Sequence, residues 1–556
     1  MRQFGVTLSR LGGSFVFYSL VAAVYFSSFL PHLSSAFFGP PEDNLQDFWN
    51  SWYAAVGHTS GADFFFTNTI KFPEGTTLYY HSFAYPEVFL VWLGTQVFGT
   101  GLTTLTWLHN TVLLLSFPVA GVGAFFLARH LTRDTWSALL GGYIFAFNPS
   151  HVQHAMHHLH VASIEFIPFF VLAYWQAIEK KSVAWLVSAV LFFALSALSC
   201  WYYLFYCGYF VVLHTIFTCI QNRTLPRGWD LYTPLATTGG VIVVLSPLLI
   251  PMVREAAAGS NVYASGHDVF VADFFAYISF PPHHILSALT RPLYELFSGN
   301  PWEATVYLGI ANVGLAVWLF LNRQKFDRRT VAYLAAGIAV FAVIASGSHL
   351  RFLGSKLIPM PDLLISNVPL LKNARVPSRT IVFVYLFFAV AVSIAVQALT
   401  QKIKDMAMLK RIALVGMLLF IVADFYPAHL DITPFSCSPG LAAIRDDPEK
   451  GFGVLNLPDG YVAGNAAMAE QVCHQRPIVQ GVTSRDVART LRDMLETKDL
   501  EKQHRQLIDA KIKYIVLRRI DNEIYQWRTQ DGVRGDYSLV YRPVYQSDDL
   551  SILRVY

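Results

Sequence analysis

The sequence predicts a polytopic α-helical membrane protein of about 11 transmembrane helices, with an extracytoplasmic α/β domain at its C-terminal end. Three observations lead there. Of 556 residues, 54% are hydrophobic and only 14% charged, whereas soluble domains carry about a quarter charged residues. Apolar runs of span length recur as far as residue 428. Beyond that point short strand-like stretches surround a charged helical run.

Runs able to cross a hydrocarbon core of about 30 Å lie at 13–35, 103–128, 135–149, 161–178, 182–199, 202–220, 233–253, 304–321, 330–346, 380–400 and 411–428. The first, "GSFVFYSLVAAVYFSSFLPHL", is long for a signal-peptide core and lacks a small-x-small cleavage site, so it reads as an uncleaved span. The run at 85–99 is short and framed by Pro86 and Gly99. It reads as a juxtamembrane or re-entrant helix.

With this count the basic residues collect on one side: Arg2 and Arg10, Arg129 and Arg133, Lys180 and Lys181, Arg223 and Arg227, Arg323 to Arg329, and Lys402 to Arg411. Positive charge marks the cytoplasmic side. The N-terminus is therefore expected inside a bacterial inner membrane, with loops 36–102, 150–160, 254–303 and 347–379 and the whole of 429–556 outside. The net charge of +4 is scattered, which argues against a nucleic-acid partner. The inner connections are short and hold no G-x-x-x-x-G-K-[ST], so ATP-driven transport is disfavoured.

From 429 onward "GFGVLNLP", "KIKYIVLRR" and "LSILRVY" have strand length, and "SRDVARTLRDMLETKDLEKQHRQLIDA" reads as helix. The division expected is a membrane domain, 1–428, followed by an α/β domain, 429–556. Cys437 and Cys473 lie in that outer region, where an oxidising compartment allows either a disulfide or two free thiols. Cys200, Cys207 and Cys219 sit in apolar runs and behave as small hydrophobes.

Several residues are candidates for chemistry. In "PPEDNLQDFWNSWY", Asp43 and Asp47 are four apart and share a helix face, which suits one substrate or one divalent cation; helix capping is the alternative. Trp49 and Trp52 fit an interfacial aromatic belt. In "SHVQHAMHHLH", His151, His154 and His158 fall at i, i+3 and i+7. Two imidazoles with a first-loop carboxylate would make an N/O site for zinc or a similar divalent metal ion; a wet interfacial helix end is the other reading. Glu165 lies just inside the next span, and an acidic group there is a functional candidate. Glu303 and the pair His283 and His284 belong to the loop 254–303.

The ordered set "EDNLQDFWNSWY", "FPEGTTLYYHSFAYPEVF", "LARHLTRD" and "GGYIFAFNPSHVQHAMHHLHVASIEFIPF", with the later "NPWEATVYLG" and "NVPLLKNARVPSRT", resembles the GT-C superfamily of membrane glycosyltransferases. The resemblance is to its YfhO-like branch, related to the membrane domain labelled 6-pyruvoyl-tetrahydropterin-synthase-related, and spans most of residues 36–400. It implies transfer of a sugar from a polyprenyl-phosphate donor to an extracytoplasmic glycan, lipid or protein acceptor. By position it implies Asp43 as base or metal ligand, with Asp47 second. A Gly-His usual before an apolar span corresponds here to His157 and His158, making His158 the first choice among the histidines. The donor's single phosphate calls for fixed cations, and Lys372, Arg375 and Arg379 stand on the outer side against the charge rule; contact with ordinary lipid headgroups is their alternative. A transporter or flippase for a lipid-linked substrate and a non-catalytic envelope scaffold are the rival readings. No inverted repeat supports the first.

Overall fold

The computed structural model describes residues 2–58, 63–257, 266–368, 371–401, 408–484, 489–496, 499–518, 537–548 and 550–556. Two compact units divide the chain. One comprises 1–31, 113–247 and 264–430; the other comprises 32–112, 248–263 and 431–556. The units therefore do not follow the linear division at 428. The first outer loop joins the C-terminal region in one body.

The first unit is helical. Among the described residues six helices are long and apolar enough to cross a membrane: Leu102–Thr132, Leu159–Lys180, Trp201–Asn222, Trp229–Ala257, Arg328–Ala345 and Pro377–Thr400. Two shorter apolar helices, Val183–Ser199 and Ile310–Leu321, occupy two more of the expected runs. The expected run 13–35 is instead a helix from Arg2 to Tyr25 followed by a short turn of helix at Leu30–His32. The expected run 135–149 holds a helix of only 12 residues, Thr135–Ala146. At 1.5 Å per residue that is about 18 Å, short of a hydrocarbon core. It stops because Asn148 takes an extended backbone and caps the next helix, Pro149–His157, through a bond from His151 N to Asn148 Oδ1 at 2.8 Å. The run 411–428 corresponds to the helix Met408–Phe425. The basic stretch 402–411 lies in part outside the described residues, as does 485–488 within the charged helical run.

Close helix packing in this unit rests on small residues. A Cβ at Gly121 or Gly142 would meet the ring of Tyr18, and one at Gly141 would meet Ser393 Oγ. Helix Ile381–Thr400 is buried along nearly its whole length. Helix Trp229–Ala257 is the opposite, with 17% of its apolar window buried. A helix so poorly covered by protein and so apolar has the surface that suits a lipid environment.

The second unit is built from segments distant in sequence. Strand Gly453–Leu457 pairs in parallel with Ile512–Arg518, which pairs antiparallel with Leu550–Arg554, which in turn pairs antiparallel with the edge strand Arg542–Gln546. Pro543 explains why that edge strand is weakly marked in sequence, since proline is tolerated only where no ladder donor is needed. The parallel pair needs a crossover, and the helices Tyr461–His474 and Leu500–Asp509 lie in it. Helix Tyr461–His474 is buried nearly all round, so it carries no helical hydrophobic stripe.

One face of that helix receives the first outer loop. Helix Asp43–Trp52 packs on it, Trp49 Nε1 donating to Gln471 Oε1 at 2.7 Å. Strand Ala36–Phe38 pairs antiparallel with Ile432–Pro434. Phe37, Phe48 and Trp49 share a core with Leu441, Val454 and Met468. The short helix Tyr85–Phe98, 14 residues with Pro86 at its start, belongs to this unit too. A disulfide joins Cys437 to Cys473.

A buried ion pair stands on the sheet: Lys513 Nζ lies 2.7 Å from Asp447 Oδ2, which also accepts from Tyr514 Oη at 2.6 Å. Burial pushes the Asp447 carboxyl up, but Lys513 and Tyr514 outweigh it and hold the group down to about 2. A carboxyl depressed on folding stabilises the fold above its unfolded value near 4 and loses that contribution as pH falls towards 2. The expected outcome is a thermal-unfolding difference between wild type and Asp447→Asn that is largest near neutrality and shrinks steadily below pH about 4. A difference independent of pH would remove the charge from the account.

Candidate functional site

Helix Pro149–His157 and the loop after it carry the histidines, and every residue from Pro149 to Leu159 is buried. The helix ends one residue before His158, which adopts φ −144° and ψ 100° as the C-cap. The expected helical face of three histidines is therefore broken. His151 is engaged at both ring nitrogens: Nδ1 donates to Ala146 O at 2.6 Å, and Nε2 lies 3.3 Å from Ser116 Oγ. Its ring stacks on Phe117 with centroids 3.9 Å apart. These contacts make His151 a packing residue and remove it from a metal set.

His154 and His158 come together instead with Glu303, from the loop 254–303. One ligand atom from each lies within 4.8 Å of the others, and all three residues are buried. The carboxylate at this cluster is thus Glu303, where the sequence suggested one from the first loop. His154 Nε2 stands 3.8 Å from Glu303 Oε2.

Glu303 is held from the other side by Arg379. Its Oε1 accepts from Arg379 Nε at 2.9 Å and from Arg379 Nη2 at 2.5 Å, and Oε2 accepts from Ser378 Oγ at 3.2 Å. The guanidinium also lies over the ring of Tyr202, 4.8 Å from its centroid. Burial pushes the Glu303 carboxyl up, but the Arg379 guanidinium, by its charge and its hydrogen bonds, overrides it and holds the group down to about 2. Burial also drives the His154 imidazole well below its ordinary range; Glu303 opposes this and Arg379 reinforces it. At neutral pH the cluster is therefore a carboxylate paired with a guanidinium, beside a neutral His154 whose lone pair is available.

A second polar chain runs from the same helix. Gln153 donates to His157 Nε2 at 3.0 Å and accepts from His283 Nδ1 at 2.9 Å, and His157 stacks on Trp302 with centroids 4.3 Å apart. His284 Nε2 faces Asp424 Oδ1 at 3.4 Å. Sequence reading missed Gln153, Ser378, Tyr202 and Trp302. Gln153 lies within the histidine stretch, Trp302 beside Glu303 and Ser378 beside Arg379, all singled out in the sequence.

The remaining candidates lie elsewhere. Lys372 and Arg375 are half-buried, and the Lys372 carbonyl accepts from His267 Nε2 at 2.8 Å while His267 Nδ1 faces Asp362 Oδ2 at 3.0 Å. Glu165 is buried at the start of helix Phe166–Lys180 and makes no side-chain cap bond. Asp43 and Asp47 belong to the second unit. Asp43 sits in the first turn of its helix and accepts from Asn465 Nδ2 at 3.1 Å; Asp47 is 4% exposed. Trp49 is fully buried, so its role is core packing, not an interfacial belt.

Removing one partner of a buried ion pair strands the other charge at a cost of about 3–5 kcal/mol. Arg379→Met is expected to lower the unfolding free energy in mixed micelles by about that amount, and Arg379→Met with Glu303→Gln to recover a large part of it. An equal loss in single and double variants would show that the pair's charge is not what matters.

Comparison with known proteins bears on this arrangement. Residues 18–424 match the family model described as a domain of unknown function, DUF6311. No curated protein matches the sequence. Among solved structures, an oligosaccharyltransferase from Archaeoglobus fulgidus, AglB in complex with an inhibitory peptide and a dolichol-phosphate, aligns with a TM-score of 0.52 at 12% identity, over 96% of this chain and 72% of that one. The apo form of the Archaeoglobus fulgidus oligosaccharyltransferase aligns with a TM-score of 0.53 at 12% identity, over 91% and 69%. The arabinofuranosyltransferase AftD from Mycobacteria aligns with a TM-score of 0.50 at 12% identity, over 97% of this chain and 41% of that one. These likenesses show that the chain shares the fold of these transferases.

Proposed function

The chain belongs to the DUF6311 family, whose description assigns no activity, and on the GT-C fold we propose that it is an integral-membrane glycosyltransferase drawing a sugar from a lipid-linked donor. The observation that carries the reading is a charge-balanced polar cluster, His154, His158, Glu303 and Arg379, buried in a helical unit of that fold. Ionisable groups kept inside a membrane protein are expensive and mark function by default. Fold alone does not assign chemistry, so the reading stands or falls on the site.

The finer reading is inverting transfer from a polyprenyl-phosphate sugar to an extracytoplasmic glycan, lipid or protein, in the YfhO-like branch. Asp43 takes the proton from the acceptor hydroxyl as that oxygen attacks the anomeric carbon, with Asp47 as the second candidate. The polyprenyl phosphate departs with the bonding electrons. The cations assigned to it are those of the loop 347–379, Lys372, Arg375 and Arg379, of which Arg379 is bonded to Glu303. The Cys437–Cys473 disulfide supports an oxidising compartment for the C-terminal region, and the basic connections support an inner membrane with the N-terminus inside.

The test is transfer or release of labelled sugar from a panel of polyprenyl-phosphate donors by the purified protein. General-base assistance is worth about 10²–10⁴ in rate. Asp43→Asn is expected to lose turnover by about that factor while eluting and unfolding as wild type does. Full activity in Asp43→Asn would overturn the base assignment. No turnover with any donor and a broad acceptor set, from folded monodisperse protein, would overturn the transferase reading.

A further inference from the structure

Hydrogen bonding does not account for the space between His154 and Glu303. At 3.8 Å, Nε2 and Oε2 stand beyond hydrogen-bond reach. His154 Nδ1 has no hydrogen-bond partner among the described residues, though the residue is 5% exposed. Meanwhile Arg379 approaches Glu303 only through Oε1, and Oε2 stays turned towards the imidazole.

That geometry is close to a metal's ligand shell. Nitrogen and oxygen ligands about 2.0–2.1 Å from a tetrahedral zinc stand roughly 3.4 Å apart. The cluster's atoms, all within 4.8 Å of one another, need movements on the order of an ångström to close to that spacing. We propose that His154, His158 and Glu303 form a mononuclear site for a divalent transition metal of the zinc class, in which Arg379 is the positioning residue that holds Glu303 and leaves one coordination position open.

Donor chemistry selects the class of ion. Two imidazoles and one carboxylate suit zinc, cobalt or iron, whereas magnesium and calcium take oxygen sets. Ligating carboxylates are themselves hydrogen-bonded by outer partners that fix their orientation. Arg379 and Ser378 are those partners, and Tyr202 backs the guanidinium. The Glu303 and Arg379 charges cancel, so a divalent ion brings two uncompensated charges into a buried place. The open position therefore favours an anionic oxygen ligand.

This inference goes beyond glycosyl transfer and does not need it, because metal binding is read without turnover. The experiment uses full-length protein in detergent, its purification tag removed, stripped with chelator and titrated with Co²⁺ and Zn²⁺. Bound metal is counted per chain, and the visible ligand-field band of Co²⁺ is followed. Wild type is expected to take up one ion. His154→Ala and His158→Ala are expected to lose it, Arg379→Lys to bind about 10–100-fold more weakly, and His151→Gln to bind as wild type does. Size-exclusion and thermal unfolding check each variant's fold. Where a variant fails to fold, X-ray absorption of zinc-loaded wild type decides, with two imidazoles expected in the shell. Substoichiometric uptake by wild type, a shell without imidazole, or equal binding in His154→Ala and His151→Gln would overturn the proposal.

Discussion

A carboxylate removed from water must find a positive or hydrogen-bonding partner or give up its charge, and the helical unit is organised around how Glu303 meets that condition. Its partner, Arg379, is 76 residues away in sequence and stands where the last long apolar helix of the first unit to be well buried begins. Ser378, next to it, takes the other oxygen. The two residues thus fix the entrance of helix Ile381–Thr400 against the loop holding Trp302 and Glu303. With the Glu303 charge balanced there by Arg379, burial keeps His154 neutral beside a carboxylate.

The second unit solves a different problem. Its mixed sheet is too small to bury both faces by itself, since it has four strands and only short helices. The first outer loop supplies the missing apolar surface through Phe37, Phe48 and Trp49. Strand pairing of Ala36–Phe38 with Ile432–Pro434 and the bond from Trp49 to Gln471 lock it in place. Asp43 and Asp47 consequently ride on a helix anchored in a core, and not on a free loop. A carboxylate carried on a packed helix holds its position more closely than one on a mobile loop.

Two groups that look alike in sequence have divergent fates. His151 and His154 are three residues apart on one helix, yet His151 is bonded to Ala146 and the neighbourhood of Ser116 while His154 faces Glu303. Arg375 and Arg379 are four apart, and Arg379 is bonded to the buried carboxylate of Glu303. In both pairs the decision rests with a residue from a distant segment.

The apolar runs, the basic connections and the change of pattern after 428 are local properties, and the sequence by itself determined a helical membrane protein with a strand-containing C-terminal region. Three of its four sheet strands were legible for the same reason, and the fourth was hidden by Pro543. Helix Tyr461–His474 was not legible because burial on all sides erases periodicity. The twelve-residue length of helix Thr135–Ala146 depended on the Asn148 cap. Histidines 154 and 158 and Glu303 could each be singled out as residue types in suggestive places. Their convergence, the exclusion of His151 and the pairing of Glu303 with Arg379 were decided only by tertiary structure, because the cost of burying a charge is settled by what the fold brings within about 3 Å of it.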